Sequence, residues 1–373
     1  MFKKFKALKI ILIILLLCAA SYVAYVFISY HRVEDNFPLH SSGTAPSGDT
    51  IPVNRQEPFK ITSWNIGFGA YTSDFSFFMD GGKHSRAFSE EAVWENITAM
   101  GNKLKELNSD FYFVQEVDID SDRAHHVNQK QALLNIFSGL PANDTDNNGE
   151  EKAISHTFAV NYDSPYLFYP LTEPHGKTLA GLLTMSEYRI NDGLRRSLPI
   201  QTDFAKFIDL DRCYAINRIK ADNGKELVLI NFHLSAYTTD PSIANQQLEM
   251  MYEDMEAELK KGNYVICGGD FNKDLLGDSS KYFGISGENY SWAQSFPFES
   301  LPQGFSLAAP FDENNPVPSC RNADMEWDPE KNFQLTIDGF IISDNIDVVS
   351  CDVLDENFKY SDHNPVHLEF RLK

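Results

Sequence analysis

Two short stretches hold the groups best suited to chemistry: Gly269-Asp270-Phe271-Asn272 and Ser361-Asp362-His363-Asn364-Pro365. Each sets carboxylate, amide or imidazole groups beside an apolar run, Tyr264–Cys267 before the first and Val366–Phe370 after the second. Ionisable groups at the end of a buried strand are costly unless they are paired or bind something. The same pattern recurs at Ile61–Asn65, at Phe111–Glu116 and at Leu227–Leu234, which carries Asn231, Phe232 and His233 just before its last residue. Strand ends that each deliver Asn, Glu, His or Asp imply one hydrolytic site assembled from across a whole domain.

The elements that position these groups can be read from periodicity. Strands are predicted over Phe59–Asn65, Asp110–Glu116, Thr336–Ile342, Ile346–Val353 and Val366–Leu372, with shorter runs at 156–162, 180–184, 194–199 and 213–220. Ser89 is placed to cap a helix with Glu90 and Glu91 in its first turn, and Val93, Ile97, Met100, Leu104 and Leu107 share one face. A second amphipathic helix is predicted over Ile243–Leu259. Many strands with few helices imply an α/β domain of two packed sheets, with helices on the outer faces. The loop Tyr71–Phe88 is aromatic. Its Phe75–Met79 run is either buried packing or a surface that meets substrate or lipid.

The chain has 373 residues, 43% hydrophobic, enough for one large domain. The run from Ile10 to Tyr30 carries no charge and has the length that crosses a bilayer as a helix. Lys3, Lys4, Lys6 and Lys9 precede it, which places residues 1–9 in the cytoplasm and everything after Tyr30 on the far side. The rival reading is a cleaved signal peptide ending near Ala20, which would secrete the domain. Leu17 is not the small residue that a lipoprotein carries before Cys18. The expected organisation is therefore an anchor over 10–30, a flexible Pro-, Ser- and Gly-containing linker over 31–57, and a catalytic domain over 58–373.

The formal charge is −21, and the first thirty residues hold four Lys and no acid, so the domain is more negative still. Such a domain repels phosphate backbones unless a basic run compensates, and the sequence has none. Of the cysteines, Cys18, Cys213, Cys267, Cys320 and Cys351, none forms a CxxC pair. Spacing neither requires nor forbids a Cys320–Cys351 disulfide. Asp144–Gly149 resembles the front half of a calcium loop, but Ser155 stands where the bidentate Glu belongs, so it reads as a polar turn.

In their order along Pro58–Lys373, these motifs resemble the endonuclease/exonuclease/phosphatase superfamily, which includes deoxyribonuclease I, abasic-site endonucleases and neutral sphingomyelinases. The resemblance implies a four-layered α/β sandwich with the site in a cleft at one end of two sheets. It also implies attack of water on a phosphate ester with Mg²⁺ or Mn²⁺. By motif match Glu116 is the principal metal carboxylate, Asn65 supports the metal shell and Asp362 contacts the metal or its water. Asp270 and Asn272 match the pair that orients the attacking water and a phosphoryl oxygen. His363 matches the general base or phosphate contact, Asp338 the acid that fixes its tautomer, and His233 the donor toward the leaving oxygen. Gly67 stands where abasic-site endonucleases carry an acid, so one or two ions are both open. Arg86, Arg123, His125, His175 and Lys177 are the loop cations within reach of a phosphate.

The function expected from all this is that of a membrane-anchored, extracytoplasmic, Mg²⁺-dependent phosphohydrolase, a phosphodiesterase in particular. Its substrate would be a lipid head group, a phosphosugar or a nucleic acid, and no obligate protein partner is evident. A nuclease on extracellular DNA or RNA is the rival within the enzymes. A non-catalytic binding module that keeps the fold is the rival outside them.

Overall fold

The computed structural model describes residues 2–48, 52–144, 151–202, 206, 211–236, 241–287, 290 and 292–373. It begins with helix α1 (Phe2–Ser29), whose side chains are largely exposed. Over Lys4–Ser29 this helix is long and apolar enough to cross a membrane, and it would equally serve as a signal sequence.

The strands, in chain order, are β1 (Phe37–Pro38), β2 (Phe59–Asn65), β3 (Phe111–Asp118), β4 (Ser155–Asp163), β5 (Leu179–Ser186), β6 (Asp192–Ser197), β7 (Cys213–Lys220), β8 (Glu226–His233), β9 (Tyr264–Asp270), β10 (Phe305–Ala308), β11 (Cys320–Arg321), β12 (Gln334–Leu335), β13 (Asp338–Ser343), β14 (Ile346–Val353) and β15 (Val366–Leu372). One sheet runs β14-β15-β2-β3-β5-β4, and the other runs β1-β6-β7-β8-β9-β13-β10. Both are mixed: β2 pairs parallel to β3 and β8 parallel to β9, and their other neighbours are antiparallel.

The two sheets face each other across an apolar layer in which Phe59, Ile61, Phe111 and Phe113 meet Leu227, Leu229, Ile266 and Phe340. Helices α2 (Glu90–Leu107) and α3 (Gln129–Phe137) cover the outer face of the first sheet with Ile97, Met100, Leu104 and Leu133. Helix α4 (Pro241–Lys260) covers the second with Leu248, Met251 and Met255. The result is the four-layered α/β sandwich expected from the sequence. As the sequence predicts, Ser89 caps α2, its side chain accepting from the Ala92 N–H at 3.1 Å.

A polar seam interrupts the apolar layer near one end. Gln115 on β3 donates to Asn231 on β8 at 2.9 Å. Asn231 in turn donates to the Thr184 hydroxyl on β5 at 3.2 Å, and Thr157 on β4 donates to Asn217 on β7 at 2.5 Å. Buried amides in fixed pairs tolerate little sliding, so the seam fixes the register of one sheet against the other.

The segment read as a free linker is laid along the domain instead. Phe37–Pro38 adds a strand beside β6, Thr44 and Val53 bridge to Ile154 and Ala221, and Arg32 pairs with Asp211 at 2.6 Å. Backbone pairing of this kind needs no apolar pattern, which is why composition alone points to a stalk. All the cysteines are free thiols, Cys320 and Cys351 included. The turn after Asp144 lies outside the described residues.

One buried ion cluster ties α4 to the second sheet. Glu258 takes Arg218 through both carboxylate oxygens, at 2.8 and 2.7 Å, and also takes Lys261 at 2.7 Å. Burial pushes the Glu258 carboxyl up, but these partners outweigh it and bring it down to about 2. A depressed carboxyl contributes stability that is complete above its unfolded value, ~4.5, and is lost as pH falls toward 2. Glu258→Gln should therefore lower the urea midpoint at pH 7 while leaving it nearly unchanged at pH 2, and it should flatten the acid limb between. Urea titrations across that range measure it.

Candidate active site

The site lies where the ends of both sheets meet. On the second sheet, Asp270 is the last residue of β9. It stands in register with His233, the last of β8, and with Asp338, the first of β13. On the first sheet, Asn65 ends β2 beside Gln115 of β3. His363 sits in the turn before β15, held by an antiparallel bridge to Cys320 on β11 and by the Trp64 indole N–H, which donates to its carbonyl at 2.8 Å.

Two backbone irregularities aim the side chains. The pairing of β3 with β5 shifts between Val114 and Val117, and Glu116 inside that bulge has φ of 55°. The bulge turns Glu116 out of the strand alternation and toward the cavity. Gly269 has φ of 145°, and a Cβ there would lie 2.1 Å from the Phe232 carbonyl oxygen. Only glycine fits, and its conformation lets β9 deliver Asp270 and then turn sharply to Asn272, itself at φ of 48°. The Asp270 carboxylate closes that turn by accepting the Asn272 N–H at 2.8 Å.

The groups form one connected array. His363 Nδ1 lies 2.8 Å from Asp338, and the same carboxylate oxygen accepts the Ser319 hydroxyl at 2.7 Å. On its other edge, His363 Nε2 is 3.7 Å from Asp270 and 3.6 Å from the Cys320 thiol. His233 Nε2 approaches Asp270 at 3.4 Å. The Asn65 amide nitrogen donates to Glu116 and to Asp270, both at 3.1 Å, while its oxygen accepts the Gly67 N–H at 3.0 Å. All the residues singled out by motif are thus brought together. Glu116, His233, Asp270, Asn272, Asp362 and His363 line one cavity of about 290 Å³. Asn65 and Asp338 stand directly behind them.

Burial opposes charge on His363, but Asp338, Cys320 and Asp270 together outweigh burial and hold the imidazole well above its ordinary range. His233 has no such partner. Burial, with Arg212 nearby, holds it well below that range, so it is a neutral imidazole. Burial also pushes the Asp270 carboxyl up. Asp362 is pushed up to about 6, first by burial and further by the Glu116 carboxylate. An acid pushed toward its neutral form by a neighbouring carboxylate is what a hard cation would relieve. Glu116 and Asp362 fit that demand, with Asn65 fixing Glu116 from behind. Asp270, Asp338 and His363 also bring ligand atoms within 4.8 Å of one another. Asp338 and His363 already satisfy each other, however, so this trio is better explained as an oriented imidazole than as a metal nest.

No family model and no curated protein matches the chain. Solved structures do. ANGEL2, described as a 2',3'-cyclic phosphatase in complex with adenosine-2',3'-vanadate, aligns over 84% of this chain and 96% of its own, at 14% identity and a TM-score of 0.53. An endonuclease/exonuclease/phosphatase from Beutenbergia cavernae aligns over 84% of this chain and 72% of its own, at 16% identity and a TM-score of 0.52. The chain has the endonuclease/exonuclease/phosphatase fold. The resemblance read from motif order is therefore borne out by architecture.

Within this fold the loop cations divide. Arg123 reaches the cavity, where it pairs with buried Asp118 at 2.8 and 2.9 Å and lies 4.1 Å over the Phe68 ring. His175 also lines the cavity and is kept neutral by burial and by Arg123, down to about 3. Arg86 donates Nε–H to the Pro174 carbonyl, and His125 sets Nε2 against the Ala87 carbonyl at 2.8 Å. Of the aromatic loop, Phe75 and Phe77 are packed inside, while Met79 is 38% exposed. Sequence reasoning missed Arg212, Arg321 and Cys320, which all line the cavity. Arg321 is 1% exposed and donates its backbone N–H to the Asp362 carbonyl at 2.9 Å, and no carboxylate pairs with its side chain among the described residues. It sits on a two-residue strand that carries no periodic signal.

The glycine gives a sharp test of this construction. Gly269→Ala should destabilise the domain by about 2–4 kcal/mol, because strain at positive φ adds to a clash with a backbone oxygen that cannot move aside. Gly139→Ala, at a positive-φ glycine with open space around it, should cost about 1 kcal/mol. Urea unfolding of the two variants compares them.

Proposed function

We propose that the chain is a metal-dependent phosphodiesterase that hydrolyses phosphate esters by attack of water. The observation that carries this is the alignment of Asp338, His363 and Asp270 beside the half-buried Glu116 and Asp362. A divalent ion such as Mg²⁺ or Mn²⁺ held by Glu116 and Asp362 would neutralise phosphoryl oxygens and lower the barrier to attack.

The rest is work for the protein's own groups. Asp270 accepts a hydrogen bond from the attacking water and takes its proton, a role suited to a carboxyl raised toward neutrality by burial. Asn272 anchors its amide nitrogen on the Leu234 carbonyl at 2.8 Å, which leaves the amide edge-on to the cavity beside a phosphoryl oxygen. His363, charged and steadied by Asp338, offers Nε2–H to the developing phosphoryl charge. His233 is neutral and so donates a hydrogen bond toward the leaving oxygen rather than a full proton. Arg321 adds to the same wall a guanidinium whose partners among the described residues are the Thr72 and Met325 carbonyls.

A binding module that had only kept the fold would have no use for an imidazole held by one buried acid and aimed at another. The charge of −21 and a compact cavity weigh against a nucleic-acid substrate. For location, the reading is a single-pass membrane anchor with residues 1–9 in the cytoplasm and the catalytic domain outside. The support is the Lys-rich start and the exposed apolar α1. Cleavage of α1 would leave the same domain secreted.

Chelation should abolish hydrolysis of bis-p-nitrophenyl phosphate, and Mg²⁺ or Mn²⁺ should restore it. Glu116→Gln should keep the fold, raise the metal concentration needed for half-activity by ~10–100-fold, and lose little activity at saturation. Wild-type activity in Glu116→Gln at low metal would remove Glu116 from this role.

The dyad gives a second test. Asp338 acts only through His363, so Asp338→Asn and His363→Ala should each lower kcat by ~10²–10⁴-fold. The double variant should match His363→Ala alone rather than multiply the losses. Multiplicative losses in variants shown by circular dichroism to be folded would mean the two residues work independently.

A further inference from the structure

Outside α1, the two most exposed large apolar side chains among the described residues stand on one loop: Leu171 is 81% exposed and Tyr169 62%, with Phe168 beside them at 51%. Apolar groups clustered in water at this density ask for a cover. The loop is tied to α1 at one end. The Tyr22 hydroxyl accepts the Phe168 N–H at 2.8 Å and donates to the Tyr166 carbonyl at 3.2 Å, and the Tyr25 hydroxyl accepts the Tyr166 N–H at 3.1 Å. The Tyr22 and Phe168 rings meet edge-on at 5.9 Å.

At its other end the loop is tied to the cavity wall. The Tyr169 ring packs edge-on against Phe78 at 5.8 Å, and the Tyr169 carbonyl accepts the N–H of His175, a lining residue, at 3.0 Å. One strip of chain therefore connects the last turns of an exposed apolar helix to the mouth of the site.

We infer that the 166–171 loop docks on the bilayer that holds α1, and that the cavity takes the phosphodiester head group of a lipid from that same bilayer. This rests on the reading of α1 as a membrane span and of the cavity as a phosphodiesterase site. At 1.5 Å per residue, Tyr22 lies about 10 Å inside the end of α1, below the head groups and in the outer half of the span. There the Tyr22 and Tyr25 hydroxyls are satisfied by the backbone of the loop, as surroundings poor in water demand. Lys206 stacks its ammonium 5.0 Å over the Tyr30 ring, putting a cation at the outer end of the span. A loop bonded to Tyr22 is carried into the outer leaflet with its apolar side chains exposed, and a substrate that already resides in that leaflet needs no diffusion through water against the negative charge of the domain.

The test uses the full chain reconstituted into phosphatidylcholine vesicles that contain a phospholipid with a carbene precursor near its glycerol. After irradiation, mass spectrometry should find lipid adducts within residues 166–171 as well as in α1. Adducts in α1 alone overturn the docking, and adducts in neither remove the membrane reading of α1 together with it. In the same vesicles, Phe168→Asp with Leu171→Asp should cut hydrolysis of the surrounding phospholipid by about tenfold or more, since each buried apolar side chain is worth on the order of tenfold in partitioning. Hydrolysis of soluble bis-p-nitrophenyl phosphate should stay within about twofold of the unsubstituted chain. Equal losses on both substrates, or cleavage of DNA with none of the phospholipid, overturn the assignment. An unsubstituted chain that hydrolyses neither refutes the phosphodiesterase reading, and the adduct map then judges the docking separately.

Discussion

One amide group holds the two halves of this protein's chemistry in relation. Asn65 ends a strand of the first sheet, yet its nitrogen donates both to Glu116 on that sheet and to Asp270 on the other. The distance between the carboxylate suited to a cation and the carboxylate suited to a proton is therefore set by how the sheets stack. Apolar packing alone leaves such stacking free to slide by fractions of an ångström. The Gln115–Asn231 bond, one residue from Glu116, removes that freedom. The seam and the site are best regarded as one device, in which buried amides give up some stability relative to hydrocarbon and fix geometry in return.

Much of this arrangement is legible in the sequence. The strands Phe59–Asn65, Ile346–Val353 and Val366–Leu372 have the bounds their hydrophobic patterns predict, because each is long and contrasts sharply with its flanks. The polar residues at strand ends are legible for the same reason: an Asp or His immediately beside a buried run violates the pattern. What periodicity cannot show is backbone geometry. The bulge that aims Glu116 leaves no mark on composition, and neither does the pairing of Phe37–Pro38 with β6. Arg212, Arg321 and Cys320 were missed because they reach the cavity from a strand start and from a two-residue strand, where no regular neighbours make a polar residue stand out.

The electrostatics of the site depend on unequal pairing. Arg123 and Asp118 are both buried and satisfy each other, a closed pair that supports the wall. His363 and Asp338 form a second closed pair, with Ser319 taking up the same acid. Glu116, Asp362 and Arg321 are left with less complete compensation. Two imidazoles a few ångströms from one carboxylate end in opposite states because only one of them has an acid at its back. The same residue type is thus held as a cation at one position and as a neutral ring at another.

The residues that meet at this junction come from the whole length of the domain, from Asn65 to His363. Contacts between such distant parts of a chain close late in folding, after local helices and hairpins have formed. The cavity therefore exists only in the completed fold, and no fragment or half-docked intermediate can display it. Anything that binds there, ion or phosphate, binds the native state and not its precursors, so its free energy is added to the stability of the entire sandwich rather than to one loop. Ligand concentration in the compartment where the chain folds thereby becomes a determinant of how long the protein survives there.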